Sequence, residues 1–171
     1  MLARPRPNDR EEFFAAVERS AALHGDWVAA PADAATWAAY LRASRGRERH
    51  AFHIRNLNDD ALCGVINVND VLRGNLQQAY LGYYALVPHA GSGLMSEALT
   101  LVLGQCFGAL GLHRVEANIQ PGNEPSRRLA ARAGLVCEGF SPRYLRVAGQ
   151  WRDHERWAIT REDWDGSAVR D

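Results

Sequence analysis

The stretch Tyr84-Ala85-Leu86-Val87-Pro88-His89-Ala90-Gly91-Ser92-Gly93-Leu94-Met95-Ser96-Glu97-Ala98-Leu99 constrains this chain more than any other. The residues from Gln78 to Val87 predict a strand that stops at Pro88. Two glycines then lead into a helix predicted over Gly91 to Leu110, with Leu94, Ala98, Leu101, Val102 and Leu103 apolar. A further strand over His113 to Ile119 completes a strand, loop, helix, strand order, which implies a right-handed parallel crossover. The first amide N–H groups of such a helix have no partner inside it and carry the positive end of its dipole. A diphosphate can therefore dock there without a basic side chain. Gly-x-Gly alone is a weak sign, because glycine also caps and turns chains for structural reasons. Ser96 stands where the dinucleotide fingerprint needs a third glycine, and no lysine is present to complete a Walker loop, so nicotinamide enzymes and P-loop enzymes drop out.

The flanking segments read as a mixed sheet with helices. Pro5 and Pro7 confine Leu2 to Arg6 to an edge strand. A helix capped by Asn8 or Asp9 runs to about Leu23, and a second runs from Pro31 to about Ser44 with Trp37, Tyr40 and Leu41 at core spacing, closed by the arginine-rich turn Arg45 to Arg49. Ala51 to Arg55 and Ala61 to Val68 form a hairpin across Asn56-Leu57-Asn58-Asp59-Asp60, and the Arg73-Gly74-Asn75 turn leads to the strand at Gln78. A helix from about Asn123 to Ala133 stops at Gly134, and strands Leu135 to Val147 and Gln150 to Thr160 close the chain across Ala148-Gly149.

At 171 residues and 47% apolar character, the length suits one domain, 1–171. The 20 basic and 20 acidic residues cancel, which disfavours nucleic acid and anionic membranes as direct partners. No apolar run reaches the roughly 20 residues of a membrane helix, and Met1 to Asp9 has no secretion-signal core, so the expected address is cytoplasmic. Cys63, Cys106 and Cys137 are far apart and read as core filler, with no disulfide framework and no metal site. Every basic side chain other than histidine is arginine, so no lysine can act as Schiff-base nucleophile, general base or phosphate anchor.

Several spaced motifs then act together. They are Tyr80-Leu81-Gly82-Tyr83, Gly93 to Leu99, Asn123-Glu124-Pro125-Ser126 leading into Arg127 to Leu135, Glu138-Gly139-Phe140, and Tyr144-Leu145-Arg146-Val147-Ala148-Gly149-Gln150-Trp151-Arg152-Asp153-His154. Together they resemble the GNAT acetyltransferases, and within them the ribosomal-protein N-terminal-alanine group, RimJ and RimL, with the last run most like the RimJ branch. The resemblance covers nearly the whole chain. It implies an α/β GNAT fold: a twisted, mostly antiparallel mixed sheet whose central parallel strands splay apart, flanked by helices.

It also implies acetyl-CoA as cosubstrate and direct attack by an amine. The backbone near Leu86 and Val87 would pair with the pantetheine arm, a fourth-strand N–H would polarise the thioester carbonyl, and Ala90, Gly91, Ser92, Gly93, Leu94 and Met95 would hold the diphosphate. Asn123 would lie near the arm as a catalytic-site residue. Ser126 would protonate the departing thiolate, a task that other members give to a Tyr near the position of Ala130. Trp27, Asn69, Asp70, Tyr144 and Trp151 are the expected acceptor-binding residues, and a homodimer is the family-level expectation. The acceptor the resemblance implies is the N-terminal amine of a protein, such as a ribosomal one, with a small amine as the alternative; a non-catalytic coenzyme A sensor is the reading from another class.

Three positions depart from the family pattern. Ala90 stands in an arginine slot, Met95 in a small-residue slot, and Arg143 where a carboxylate precedes the Tyr-Leu pair. Arginine cannot take a proton near neutral pH. Asn69, Asp70, Glu138 and His154 remain as alternatives for the base, His154 being equally a half-buried strand residue bonded to backbone. An α-amine, with a pKa of roughly 7.7 to 8.0, is partly neutral near pH 7, whereas a lysine amine near about 10.4 is almost wholly charged, so an N-terminal acceptor tolerates a weak base. An acidic patch of Asp59, Asp60 and Asp70 would suit a cationic acceptor.

Overall fold

The computed structural model describes residues 1–164, so of the expected domain 1–171 the last seven residues lie outside the described residues. The strands are β1 (Leu2–Ala3), β2 (His50–Arg55), β3 (Leu62–Leu72), β4 (Gln78–Ala85), β5 (Arg114–Ile119), β6 (Val136–Val147) and β7 (Gln150–Thr160). The helices are α1 (Arg10–Arg19), α2 (Ala21–His24), α3 (Ala34–Ala43), α4 (Leu94–Phe107) and α5 (Glu124–Arg132), and a single 3-10 turn, Pro7–Asp9, precedes α1. All seven strands form one sheet in the order β1-β2-β3-β4-β5-β7-β6. Among the described residues only β4 and β5 run parallel.

That parallel pair is short. Gln78 to Leu81 match Arg114 to Ala117, and there the pairing stops, although β4 continues alongside β3 as far as Ala85 opposite Gly64. From Gly82 onward β4 and β5 diverge, which is the splay expected of the fold. Alternation along the strands assigns the two faces. Ala79, Leu81, Val115, Ala117, Ile119 and Ile159 pack against α4 and α5 in the main core, where Leu99, Val102 and Leu103 are fully buried. Each such side chain contributes about 1.5–3 kcal/mol. On the opposite face Phe13, Ala16, Trp37 and Tyr40 from α1 and α3 cover Ala51 and Val65. These helices cover the β2 and β3 side, leaving a cavity over β4, β5 and β7 floored by Asn69, Tyr80, Gly82, Asn118 and His154.

Several element boundaries differ from the sequence expectation for local reasons. β1 ends at Ala3, and α3 starts at Ala34 because Asp33 caps it, its Oδ1 accepting the Thr36 N–H at 2.7 Å. The first helix breaks at Ser20. There the hydroxyl donates to Ala16 O at 2.7 Å and accepts the Val87 N–H at 3.0 Å, tying the break to the end of β4. β3 runs on to Leu72 through a bulge at which Asp70 has φ 48°. α4 begins at Leu94 because Gly91 and Gly93 hold φ 82° and 88°, outside the helical region. Cys63 and Cys106 are buried as expected, but Cys137 is exposed on the edge strand β6 and is not core filler.

Candidate functional site

Two cavities meet where β4 and β5 part. The smaller, about 540 Å³, runs from the glycine loop to the first turn of α5 and includes Tyr83, Tyr84, Ala85, Ala90, Gly91, Gly93, Met95 and Ser96. The larger, about 1120 Å³, lies on the other side of the splay. Trp27, Val28, Tyr83, Asn123 and Ser126 line both, so a molecule seated in one can react with a molecule seated in the other.

The loop geometry suits a diphosphate. A Cβ at Gly91 or Gly93 would meet nothing within 4 Å, so the backbone there lies open, and no side chain caps α4. The Leu94 and Met95 amides have no partner among the described residues and are available to a ligand, whereas the Ser96 N–H already reaches Gly93 O at 2.9 Å. Ala90, Gly91, Gly93 and Met95 line the smaller cavity, whereas Ser92 and Leu94 do not; the Ser92 hydroxyl turns back to His89 O at 2.6 Å. The charge that Ala90 withholds is present across the cavity, where Arg128 and Arg132 stand one turn apart on α5. Sequence reasoning did not single out this pair, although its i, i+4 spacing was visible. Met95 fits because β3 carries Gly64 beneath it: a Cβ there would come 2.4 Å from the Met95 sulfur.

Leu86 and Val87 do not present free backbone to this cavity. β4 ends at Ala85, the Leu86 N–H donates to Cys63 O at 2.8 Å, and the Val87 N–H is held by Ser20. The exposed strand backbone is earlier, over Tyr83 to Ala85, and His24 Nε2 lies 2.8 Å from Ala85 O at its far end.

At the junction, Asn123 caps α5, its Oδ1 accepting the Ser126 N–H at 3.2 Å. The Ser126 hydroxyl is thus released from capping. It donates across the splay to Tyr83 Oη at 3.0 Å, and Tyr83 in turn reaches Ser126 O at 3.3 Å. Burial pushes the Tyr83 phenol up to about 12, with the serine contact opposing the rise, so it remains protonated at neutral pH. Ala130 is fully buried, and a phenol reaches this junction from β4 rather than from α5. The signal for it was the alternation of β4, which sets Tyr83 on the same face as Ala79 and Leu81.

The larger cavity gathers Trp27, Asn69, Asp70 and Tyr144, but not Trp151. Trp151 is 62% exposed near the tip of the last hairpin, and period-two alternation points it away from the side on which His154 lies. Trp27 packs over Gly122, where a Cβ would stand 3.1 Å from its ring.

The possible bases separate clearly. Glu138 is exposed and paired with Arg114, which holds its carboxyl below the usual range. Asn69 Oδ1 accepts Arg49 Nε at 2.5 Å. Asp70 is exposed on the bulge at the rim. His154 is 3% exposed, and its Nδ1 donates to Arg152 O at 2.9 Å, as a structural strand histidine does; yet it also floors the larger cavity. With Nδ1 as donor, the neutral ring keeps its lone pair on Nε2, and burial lowers its pKa below the ordinary 6.5 despite the opposing backbone contact and Asp153. Beside it on the floor, the buried Asn118 Oδ1 has no hydrogen-bond partner among the described residues. Asp59 and Asp60 lie at the opposite end of β2, where Asp60 faces Arg55, so no acidic patch forms with Asp70. Among the described residues no group of three potential metal ligands occurs, and no helix is long and apolar enough to cross a membrane.

A family model described as an acetyltransferase (GNAT) domain matches residues 1–136. The chain is 38% identical over 116 residues to a probable N-acetyltransferase, YjcK, of Bacillus subtilis, a match covering 68% of this chain and 64% of that protein. It is 39% identical over 113 residues to the ribosomal protein uS5-alanine N-acetyltransferase of Escherichia coli, covering 66% and 58% respectively, so the match spans about three fifths of these relatives' length. A solved structure of Mycobacterium smegmatis RimJ in complex with CoA-disulfide superposes with a TM-score of 0.88 at 28% identity, over 98% of this chain and 86% of that one.

Proposed function

Because the chain belongs to the GNAT acetyltransferase family, we propose that it transfers the acetyl group of acetyl-CoA to the N-terminal α-amine of a protein. The observation that carries this reading is the pair of cavities that share Tyr83, Asn123 and Ser126 at the splay. Acetyl-CoA supplies an acyl thioester, and the open loop amides at Gly91 and Gly93 with Arg128 and Arg132 suit its phosphates. Backbone over Tyr83 to Ala85 aligns the arm. The amine enters from the larger cavity, with Asn118 Oδ1 accepting one of its N–H groups and His154 Nε2 receiving its proton. The Ser126 hydroxyl turns from Tyr83 Oη to the departing sulfur and gives it its proton, and the protonated Tyr83 phenol beside it restores the serine proton.

A ribosomal protein as the natural acceptor is supported by the activity named for the E. coli relative, a cytoplasmic address is part of the same reading, and Asn123 keeps its amide nitrogen for the arm. A homodimer across the long edge strand β6, which exposes Val136, Phe140 and Leu145, is proposed with it and is measured by light scattering. Thiol release from acetyl-CoA, followed with an Ala-starting peptide, a lysine-bearing blocked peptide and a panel of small amines, tests the reading. Faster release with the free N-terminus supports it. Release confined to small amines overturns the acceptor, and saturable coenzyme A binding without acceptor-dependent release favours a sensor.

A further inference from the structure

The acceptor cavity is lined by Arg42, Arg47, Arg49 and Arg146, against the acidic side chains of Glu48 and Asp70 alone. None of these four arginines takes part in an ion pair among the described residues. Arg49 is distinct from the other three. It is half-buried, and its Nε is fixed to Asn69 Oδ1 at 2.5 Å, which orients the planar guanidinium and leaves both terminal nitrogens without an acceptor among the described residues. Its charge also opposes the upward push that burial gives the Tyr40 and Tyr84 hydroxyls. A fork held by its inner nitrogen, in a partly buried wall, is built to take a carboxylate in bidentate fashion.

The register of the sheet sets the reach. Asn69 lies opposite Tyr80 on β4, and Tyr83, at the junction of the cavities, is three residues further along the same strand. That separation is roughly 10 Å, the span of about three residues of extended peptide. We propose that Arg49 anchors a carboxylate-binding subsite, and that the acceptor is a protein N-terminus bearing an Asp or Glu at about its third or fourth residue. This inference rests on the acetyl-transfer reading and deepens it. Exposed Arg42, Arg47 and Arg146 reinforce the field, and the same field disfavours a polyamine. A free amino acid carries the same carboxylate but is too short to span from Arg49 to Tyr83.

The test uses Ala-starting peptides with Glu, Gln or Lys at the second, third or fourth position. Expected is a kcat/KM at least tenfold higher for Glu than for Lys at the third or fourth position, shrinking in high salt. In Arg49→Met the Glu to Gln ratio falls to within twofold, chiefly through KM. Arg49→Lys, which keeps the charge and loses the fork, retains only part of the preference. Equal or better use of the Lys peptides, or an undiminished Glu preference in Arg49→Met, overturns the subsite; faster acetylation of free glutamate than of any peptide overturns the peptide acceptor. Anisotropy of a labelled Glu peptide on CoA-loaded protein decides the anchor independently of turnover. Tighter binding than the Lys peptide, lost in Arg49→Met, sustains it even if no amine is acetylated, a result that would overturn only the proposed catalysis; equal binding of the two peptides overturns the anchor.

Discussion

Ser126 illustrates how one neighbour can change what a hydroxyl does. A serine in the first turn of a helix ordinarily competes for capping, but Asn123 already accepts the Ser126 amide, and the hydroxyl crosses to Tyr83 instead. Ser126→Ala is expected to slow turnover at least tenfold, which corresponds to about 1.4 kcal/mol of barrier, with coenzyme A affinity changed less than twofold by titration calorimetry. Tyr83→Phe should lower kcat in the same direction; an unchanged kcat in both removes the pair from the mechanism. His154 is tested by pH. Its base form exists above a pKa lying below 6.5, so kcat/KM should fall as pH drops through that value. A second limb is set by the acceptor amine near about 8. In His154→Gln only the amine limb should remain, and a profile that keeps both limbs excludes this ring as the proton acceptor.

At the scale of elements, the cofactor loop depends on a contact between β3 and α4. Gly64 leaves room for Met95, and a Cβ at that position would also stand 3.0 Å from Tyr84 O. Gly64→Ala is therefore overpacked, at a cost of about 1–3 kcal/mol, and displaces Met95 toward the smaller cavity, which it lines. Weakened coenzyme A binding with a lowered denaturation midpoint is expected, and the double variant with Met95→Ala should recover part of the affinity. Full affinity in the single variant would show that the loop tolerates a shifted helix start. The Ser20 break works in the same way: a buried hydroxyl joins the end of α1 to the residue following Leu86, so the helical wall and the strand that ends at the splay hold each other in place.

Across the molecule, the second core contains a titratable ring. His53 is fully buried among Phe13, Trp37 and Tyr40, stacked at 5.7 Å on Phe13. Burial lowers its pKa to about 4 from the ordinary 6.5. Asp9 lies 3.4 Å from Nδ1 and pulls the other way, but the contact is too poorly aligned to be a hydrogen bond and does not outweigh the lost hydration. The unfolded chain therefore binds a proton that the folded one refuses between those two values. Stability is complete above about pH 6.5 and declines as pH falls toward 4. Thermal unfolding followed between pH 7 and pH 4 should show this decline, and His53→Phe, which keeps the stacking without the titration, should flatten it. An equal decline in that variant assigns it to other groups.

The linear sequence encodes the strand, glycine loop and helix, the parallel crossover, and the terminal hairpin, because each is written in local periodicity and turn chemistry that neighbouring residues enforce. It also carried the family motifs. Tertiary structure decided which backbone faces the cofactor cavity: Val87 belongs to the strand by pattern, yet a serine 67 residues away takes its amide. It decided that Tyr83 meets Ser126 from another element, that Trp151 stands outside while His154 floors the cavity, and that arginines from the α3–β2 connection and β6 face one space. The reason is one of range. Periodicity reports the forces a residue meets within a few positions of itself, whereas hydrogen-bond partners, burial and charge neighbours are set by strands that the chain brings together only after folding.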